Sequence, residues 1–203
     1  DLHKPDMILI PGTKSTISDL KWLRQSGLEA AILKAAASGT LVFGICGGYQ
    51  MLGRSVSDPD QVEAAGVTEI AGMDLLPMDT VFHGEKVQTQ TSGTFVNIEG
   101  MLSALNGISY EGYEIHMGRS EENLNPVTGS GNVYGSYIHG IFDASGVTDT
   151  ILKTLCQQKG IDFEALGTFD MRAYKEQQYE KLAAAVREGL DMELVYKILN
   201  REV

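Results

Sequence analysis

A chain of 203 residues, 43% hydrophobic and 21% charged, suffices for one ordinary soluble domain with a real core, or for two small units. The formal net charge of −11 without Lys/Arg clusters excludes a nucleic acid partner, and apolar runs of about half a dozen residues exclude a membrane-spanning one. Two cysteines, Cys46 and Cys156, are too few for a disulfide framework and suit a reducing cytosol; with no leader pattern at the start, a cytoplasmic location is expected.

The first third alternates strand and helix patterns. "DMILIPG" is a continuous apolar run ending in Pro11-Gly12, as expected of a strand buried on both faces. Ser15, Thr16 or Ser18 is placed to cap a helix carrying Leu20 and Leu23, which Gly27 would stop. "LEAAILKAAASG" is rich in strong helix formers, with Gly39 where a C-terminal cap belongs. "TLVFGI" is a second buried strand, followed by Cys46, two glycines and the start of a helix at Tyr49. A strand–helix–strand–helix order implies an α/β fold with a mostly parallel central sheet and helices on both faces.

The middle reads differently. "EKVQTQTSGTFVNI" alternates polar and apolar residues around Ser92-Gly93, the pattern of a half-exposed hairpin and so of an antiparallel extension. "GISYEGYEIHMG" and "GNVYGSYIHGIFD" are strand-like, and "RSEENLNPVTGSG" between them reads as a polar loop. The last third returns to helix. "VTDTILKTLCQQKG" puts Val147, Ile151 and Leu155 on one face, "MRAYKEQQYEKLAAAVREGL" has apolar spacing near 3.6, and "DMELVYKIL" makes a short helix capped by Asp191.

The chemistry concentrates in "LVFGICGGYQMLG". A nucleophile at the apex of a strand–turn–helix has its backbone strained and its side chain lifted above the carboxyl edge of the sheet. Gly44, Gly47 and Gly48 supply the space such a turn needs. The helix N-terminus predicts a thiolate at Cys46 and N–H groups able to stabilise an oxyanion. Cys156, in mid-helix without flanking glycines, reads as core. A cysteine nucleophile needs a base. His3 and His83 read as solvated; His139 ends a strand just before Gly140 and is the first candidate, and His116, following the strand of "YEIHMG", is the second. The histidine spacings match no metal-ligand pattern, so no metal is expected.

Gly44-Ile45-Cys46-Gly47-Gly48-Tyr49-Gln50 matches Gly-x-Cys-x-Gly-x-Gln, the nucleophile motif of the class I glutamine amidotransferases, and the chain resembles that family over nearly its whole length. Within it, "PGTKSTISDLKWLRQSG", "GICGGYQMLG", "YEGYEIHMG" and "SYIHGIFD" are most similar to the glutaminase part of the cobyric acid synthase branch. The resemblance implies the family's flavodoxin-like fold, a single glutaminase domain over residues 1–203, and glutamine as substrate. Cys46 would attack the glutamine carboxamide and His139 would move the protons. The N–H of Gly47 with that of Gly12 or Thr13 would form the oxyanion hole. Gln50, His116, Met117 and Gly118 fall where relatives hold the glutamine.

The resemblance also implies a fragment that lacks an N-terminal ATP-dependent synthetase domain of the same polypeptide. ATP and Mg are expected there, with the corrinoid substrate, and no cofactor is expected in this chain; its "GTKST" lacks phosphate-loop spacing. One departure stands out: the family's His-x-Glu becomes His139-Gly140-Ile141, leaving Glu114 or Asp143 as candidate orienters of the imidazole. A weakly oriented base predicts slow glutamine hydrolysis in isolation. The competing readings are a glutaminase serving another acceptor, cobyrinic acid or lipid II, and a non-catalytic binding or redox module with Cys46 as a reactive thiol.

Overall fold

The computed structural model describes residues 2–63, 66–120, 125–166 and 170–202. They divide into two compact units, Asp1–Leu166 and Gly167–Val203.

In the first unit, β1 (Met7–Ile10), α1 (Thr16–Ser26), α2 (Leu28–Ala37), β2 (Leu41–Ile45) and α3 (Gly47–Met51) follow the predicted alternation. Then come β3 (Ser55–Ser57), β4 (Glu69–Ala71), β5 (Asp79–Thr94), β6 (Ser109–Ser120), β7 (Thr128–Ser130), β8 (Val133–Ser136), β9 (Ile138–His139) and α4 (Ser145–Lys159). One sheet runs β1-β2-β8-β7, the first three strands parallel and β7 antiparallel to β8. A second runs β4-β3-β5-β6-β9 and is antiparallel except where β3 meets β5. The fold is therefore mixed α/β, a parallel sheet with an antiparallel extension.

Strand β2 shows why helices cover both faces. Its side chains alternate: Val42 enters the core built with Leu20, Ile32 and Tyr49, whereas Leu41 and Phe43 enter the core that holds Val147 and Ile151 of α4. Gly27 stops α1 at φ 80° as predicted; α2 ends at Ser38, with the predicted Gly39 just beyond it at φ 88°, and Gly160 at φ 66° ends α4 in the same way. Cys156 is buried, as a core cysteine should be.

Several expectations are corrected. β1 is an edge strand with Leu9 47% exposed, so it is not fully buried on both faces; its run is apolar because Ile8 and Ile10 pack into the core that holds Val42 and Met7 packs against the core that holds Phe43. No hairpin turns at Ser92-Gly93. β5 runs straight through and pairs with β6 from Thr94↔Ser109 back to Thr80↔Ser120, because a partner strand long enough to match it makes the turn unnecessary. His83 accordingly lies within β5, exposed, and His116 lies inside β6 rather than after it. The polar stretch between Ser120 and Val133 contains β7; its residues 121–124 lie outside the described residues. "VYGSYIH" is two strands, split at Tyr137, with β8 in the parallel sheet and β9 in the other. None of Ser15, Thr16 or Ser18 caps α1 with its side chain; instead Glu63 accepts from Thr16 N at 2.7 Å and Ile17 N at 3.0 Å.

The second unit holds α5 (Met171–Gly189) and α6 (Met192–Leu199), with no buried residue in either. Asp170 and Asp191 cap them by accepting from Ala173 N and Leu194 N, both at 3.0 Å. Among the described residues no helix is long and apolar enough to cross a membrane.

Candidate active site

Cys46 sits between β2 and α3 with φ 50° and ψ −110°, a conformation that costs a non-glycine residue on the order of 1–3 kcal/mol. The turn holds because two backbones pack against it without side chains between them. A Cβ on Gly44 would stand 2.6 Å from Gly48 O, and one on Gly48 would stand 2.1 Å from Ile10 O. Cys46 N donates to Ser136 O at 2.8 Å, which ties the apex to β8.

His139 reaches the same place from the other sheet. A Cβ on Gly12 would meet His139 Cε1 at 3.0 Å and Cys46 Cβ at 3.4 Å, so both side chains abut one point of the Pro11-Gly12 turn. A Cβ on Gly47 would in turn stand 3.1 Å from Thr13 N. Gly12, Thr13, Cys46, Gln50, His116 and His139 all line one cavity of 610 Å³, with Met117 beside them. Sequence reasoning therefore names residues that the fold brings together from four separate segments: the turn after β1, the β2–α3 turn, β6 and β9.

The electrostatics differ from the expected thiolate. Burial pushes the Cys46 thiol from 9.0 up to about 11; the Gly47 N–H works against this, while the charges of Glu63 and Glu114 add to it. With only five residues in α3, the helix terminus does not outweigh desolvation. The thiol donates to Ile115 O at 3.7 Å. His139 moves the other way: burial, and then the charge of His116, hold its pKa below 6.5. Its Nε2 is buried and has no hydrogen-bond partner among the described residues. The free site thus holds a neutral thiol beside a neutral imidazole whose Nε2 is unpartnered among the described residues.

The two candidate orienters separate. Glu114 lies 3.3 Å from His116 Nε2 and so serves that ring, whose Nδ1 donates to Gly118 O at 2.7 Å. Asp143 stays near the His139 loop, its N donating to Gly140 O at 2.8 Å, and lines a second cavity of 400 Å³ that His139 also borders. His139 itself stacks on Tyr113 with ring centroids 5.1 Å apart and planes 10° apart, a contact fixed by the Tyr113↔His139 pairing of β6 and β9.

Sequence reasoning missed the polar network that holds Gln50. Gln50 Oε1 accepts from Thr16 Oγ1 at 3.1 Å, and Gln50 Nε2 donates to Tyr137 OH at 3.4 Å. Tyr137 OH bonds Ser120 Oγ at 2.8 Å, and Ser120 bonds Thr80 at 2.9 Å. The Tyr137 ring stacks on His116 at 3.9 Å. Five buried polar groups from five segments thus satisfy one another and hold Gln50 still. Its place two residues before His139 was the one signal available for Tyr137; Glu63, Lys14 and Lys86, which line the cavity, carried none.

This arrangement can attack a carbonyl carbon, hold the oxyanion on backbone N–H groups and pass protons through one imidazole, which is acyl-transfer chemistry. Residues 1–147 match the CobB/CobQ-like glutamine amidotransferase domain, and the chain belongs to that family. The relatives are similarly specific. A cobyric acid synthase from Lachnoclostridium phytofermentans is 53% identical across 100% of this chain and 44% of its own length. Those from Ruminiclostridium cellulolyticum and Alkaliphilus metalliredigens are 45% and 40% identical, over 43% and 44% of their lengths. The chain therefore spans less than half the length of the curated relatives it matches. A crystal structure of a glutamine amidotransferase overlaps 77% of this chain at 16% identity with a TM-score of 0.47; the family assignment rests on the sequence match.

Proposed function

We propose that residues 1–203 form a glutaminase domain that supplies ammonia to an ATP-dependent amidation. Glutamine enters the cavity with its carboxamide at Cys46. The thiol proton passes to His139 Nε2 as sulfur bonds to the carbonyl carbon, and the oxyanion rests on the N–H of Gly47 with that of Gly12 or Thr13. His139 returns the proton to the nitrogen as the C–N bond breaks, so ammonia leaves and a γ-glutamyl thioester remains. Water then attacks the thioester with His139 as base, releasing glutamate and restoring the thiol. Gln50, with His116, Met117 and Gly118, holds the substrate.

The observation that carries this reading is the strained Cys46 at the β2–α3 turn, abutting the same glycine as an imidazole whose Nε2 has no partner among the described residues. Neutral partners suit it, because a thiol that gives up its proton only as it attacks is protected from oxidation between turnovers.

The relatives' names and lengths support one choice of acceptor. We assign ammonia to corrinoid carboxylates, adenosylcobyrinic acid a,c-diamide becoming adenosylcobyric acid, on an N-terminal synthetase domain of the same polypeptide that binds ATP and Mg. No cofactor is assigned to this chain. The test is labelling with diazo-oxo-norleucine and mapping of the adduct. Label on Cys46, lost with glutamine hydrolysis in Cys46→Ala, is expected; hydrolysis surviving in Cys46→Ala would end the assignment.

A further inference from the structure

The cavity carries charges that the amide chemistry does not use. Glu63 lines it, as do Lys14 and Lys86. Glu63 is held by a fixed frame: the buried Asp58 carboxylate accepts from Val62 N at 2.7 Å and Glu63 N at 2.9 Å, which turns the loop back on α1. There Glu63 accepts from Thr16 N and Ile17 N, one N–H to each oxygen. A carboxylate offers about four acceptor sites, so two of them remain. Lys86 lies in the break of register between Phe82 and Val87 of β5, where the ladder to β6 is interrupted, and it lines the cavity. Neither Lys14 nor Lys86 forms an ion pair among the described residues. One carboxylate and two ammonium groups without an ion pair among the described residues thus share a cavity with the nucleophile.

We propose that these residues form a clamp for the zwitterion of a free α-amino acid, Glu63 receiving the α-ammonium while Lys86 and Lys14 receive the α-carboxylate. The inference rests on the glutaminase reading and deepens it. The clamp selects a free amino acid over an amide within a peptide, which has neither charge at that carbon. It also couples binding to chemistry. The charge of Glu63 disfavours the Cys46 thiolate, and an ammonium seated on Glu63 cancels that field when the substrate arrives.

The test uses the 203-residue chain and reads modification of Cys46 by mass spectrometry. Diazo-oxo-norleucine retains the zwitterion; iodoacetamide lacks it. Glu63→Gln is expected to slow labelling by sub-saturating diazo-oxo-norleucine about tenfold or more, as loss of a charged hydrogen bond does, while iodoacetamide still alkylates. Protection against iodoacetamide divides the charges. Glu63→Gln should raise the half-protecting concentration of 4-aminobutanamide, which lacks the carboxylate, and leave that of glutaramic acid, which lacks the ammonium, unchanged. Lys86→Met, at an exposed position that does not threaten folding, should do the reverse. If Glu63→Gln weakened both protectors equally, Glu63 would be only the cap of α1 and the clamp would be refuted; equal labelling of wild type and both variants would refute it too. A wild type alkylated by iodoacetamide but inert to diazo-oxo-norleucine would instead remove the glutamine reading itself.

Discussion

Raising the pH should expose the state of Cys46 directly. Burial places the thiol at about 11 rather than 9.0, so at pH 8 about 0.1% is thiolate where an unperturbed cysteine has about 9%. That is about a hundredfold loss of the reactive species. A more basic thiolate is also more nucleophilic, and at a Brønsted coefficient of about 0.45 two units return about eightfold. The net expectation is alkylation about tenfold slower than for an unperturbed thiol, before any loss from restricted access. Access changes the height of the profile and not its shape, so the shape decides. In a Cys156→Ser background, the logarithm of the iodoacetamide rate should climb by about one per pH unit through pH 9 and on toward about 11. Circular dichroism over the same range checks that the fold persists. A plateau below pH 9.0 would mean that the N–H groups of α3 outweigh desolvation, and the account of the site as a neutral pair would be wrong. The linked stability has a definite sign: the protonated thiol's contribution is full below 9.0 and disappears as pH rises through about 11.

His139, held below 6.5, contributes stability above that value and loses it as pH falls; the acidic limb of kcat/KM for ammonia release should therefore lie below pH 6.5. His116→Gln removes the like charge and should move that limb upward, whereas a limb already at 6.5 would contradict the burial argument. Gly48→Ala sets a Cβ 2.1 Å from Ile10 O and 2.8 Å from Pro11 O, and with backbone on both sides it should cost about 3 kcal/mol. Thermal unfolding should show this as a Tm lower by about 6–12 °C, and an unchanged Tm would deny the close approach of α3 to β1. Asp191→Ala deletes the acceptor for Leu194 N and should cost α6 about 1 kcal/mol, read as faster amide exchange confined to that helix.

The local backbone was legible from residue order alone, because it depends on neighbours along the chain. The glycines around Cys46, the apolar run of β2, the 3.6-residue spacing of α4 and α5, and the Asp191 cap all state preferences of a few consecutive residues. The motif around Cys46 with a histidine at a later strand end also named the two residues on which the proposed chemistry depends. Only the tertiary structure could decide what faces what. β5 ignores its Ser-Gly turn signal because β6 offers a continuous ladder, and pairing over that length outweighs a local preference for a turn. Glu114 lies close to His139 in sequence terms of strand pairing, yet its carboxylate reaches His116 two residues along its own strand, leaving Tyr113 to stack on His139. The protonation of Cys46 was misread for the same reason: a short helix is visible in the sequence, and the desolvation that overrides it comes from the walls that other segments build around the thiol.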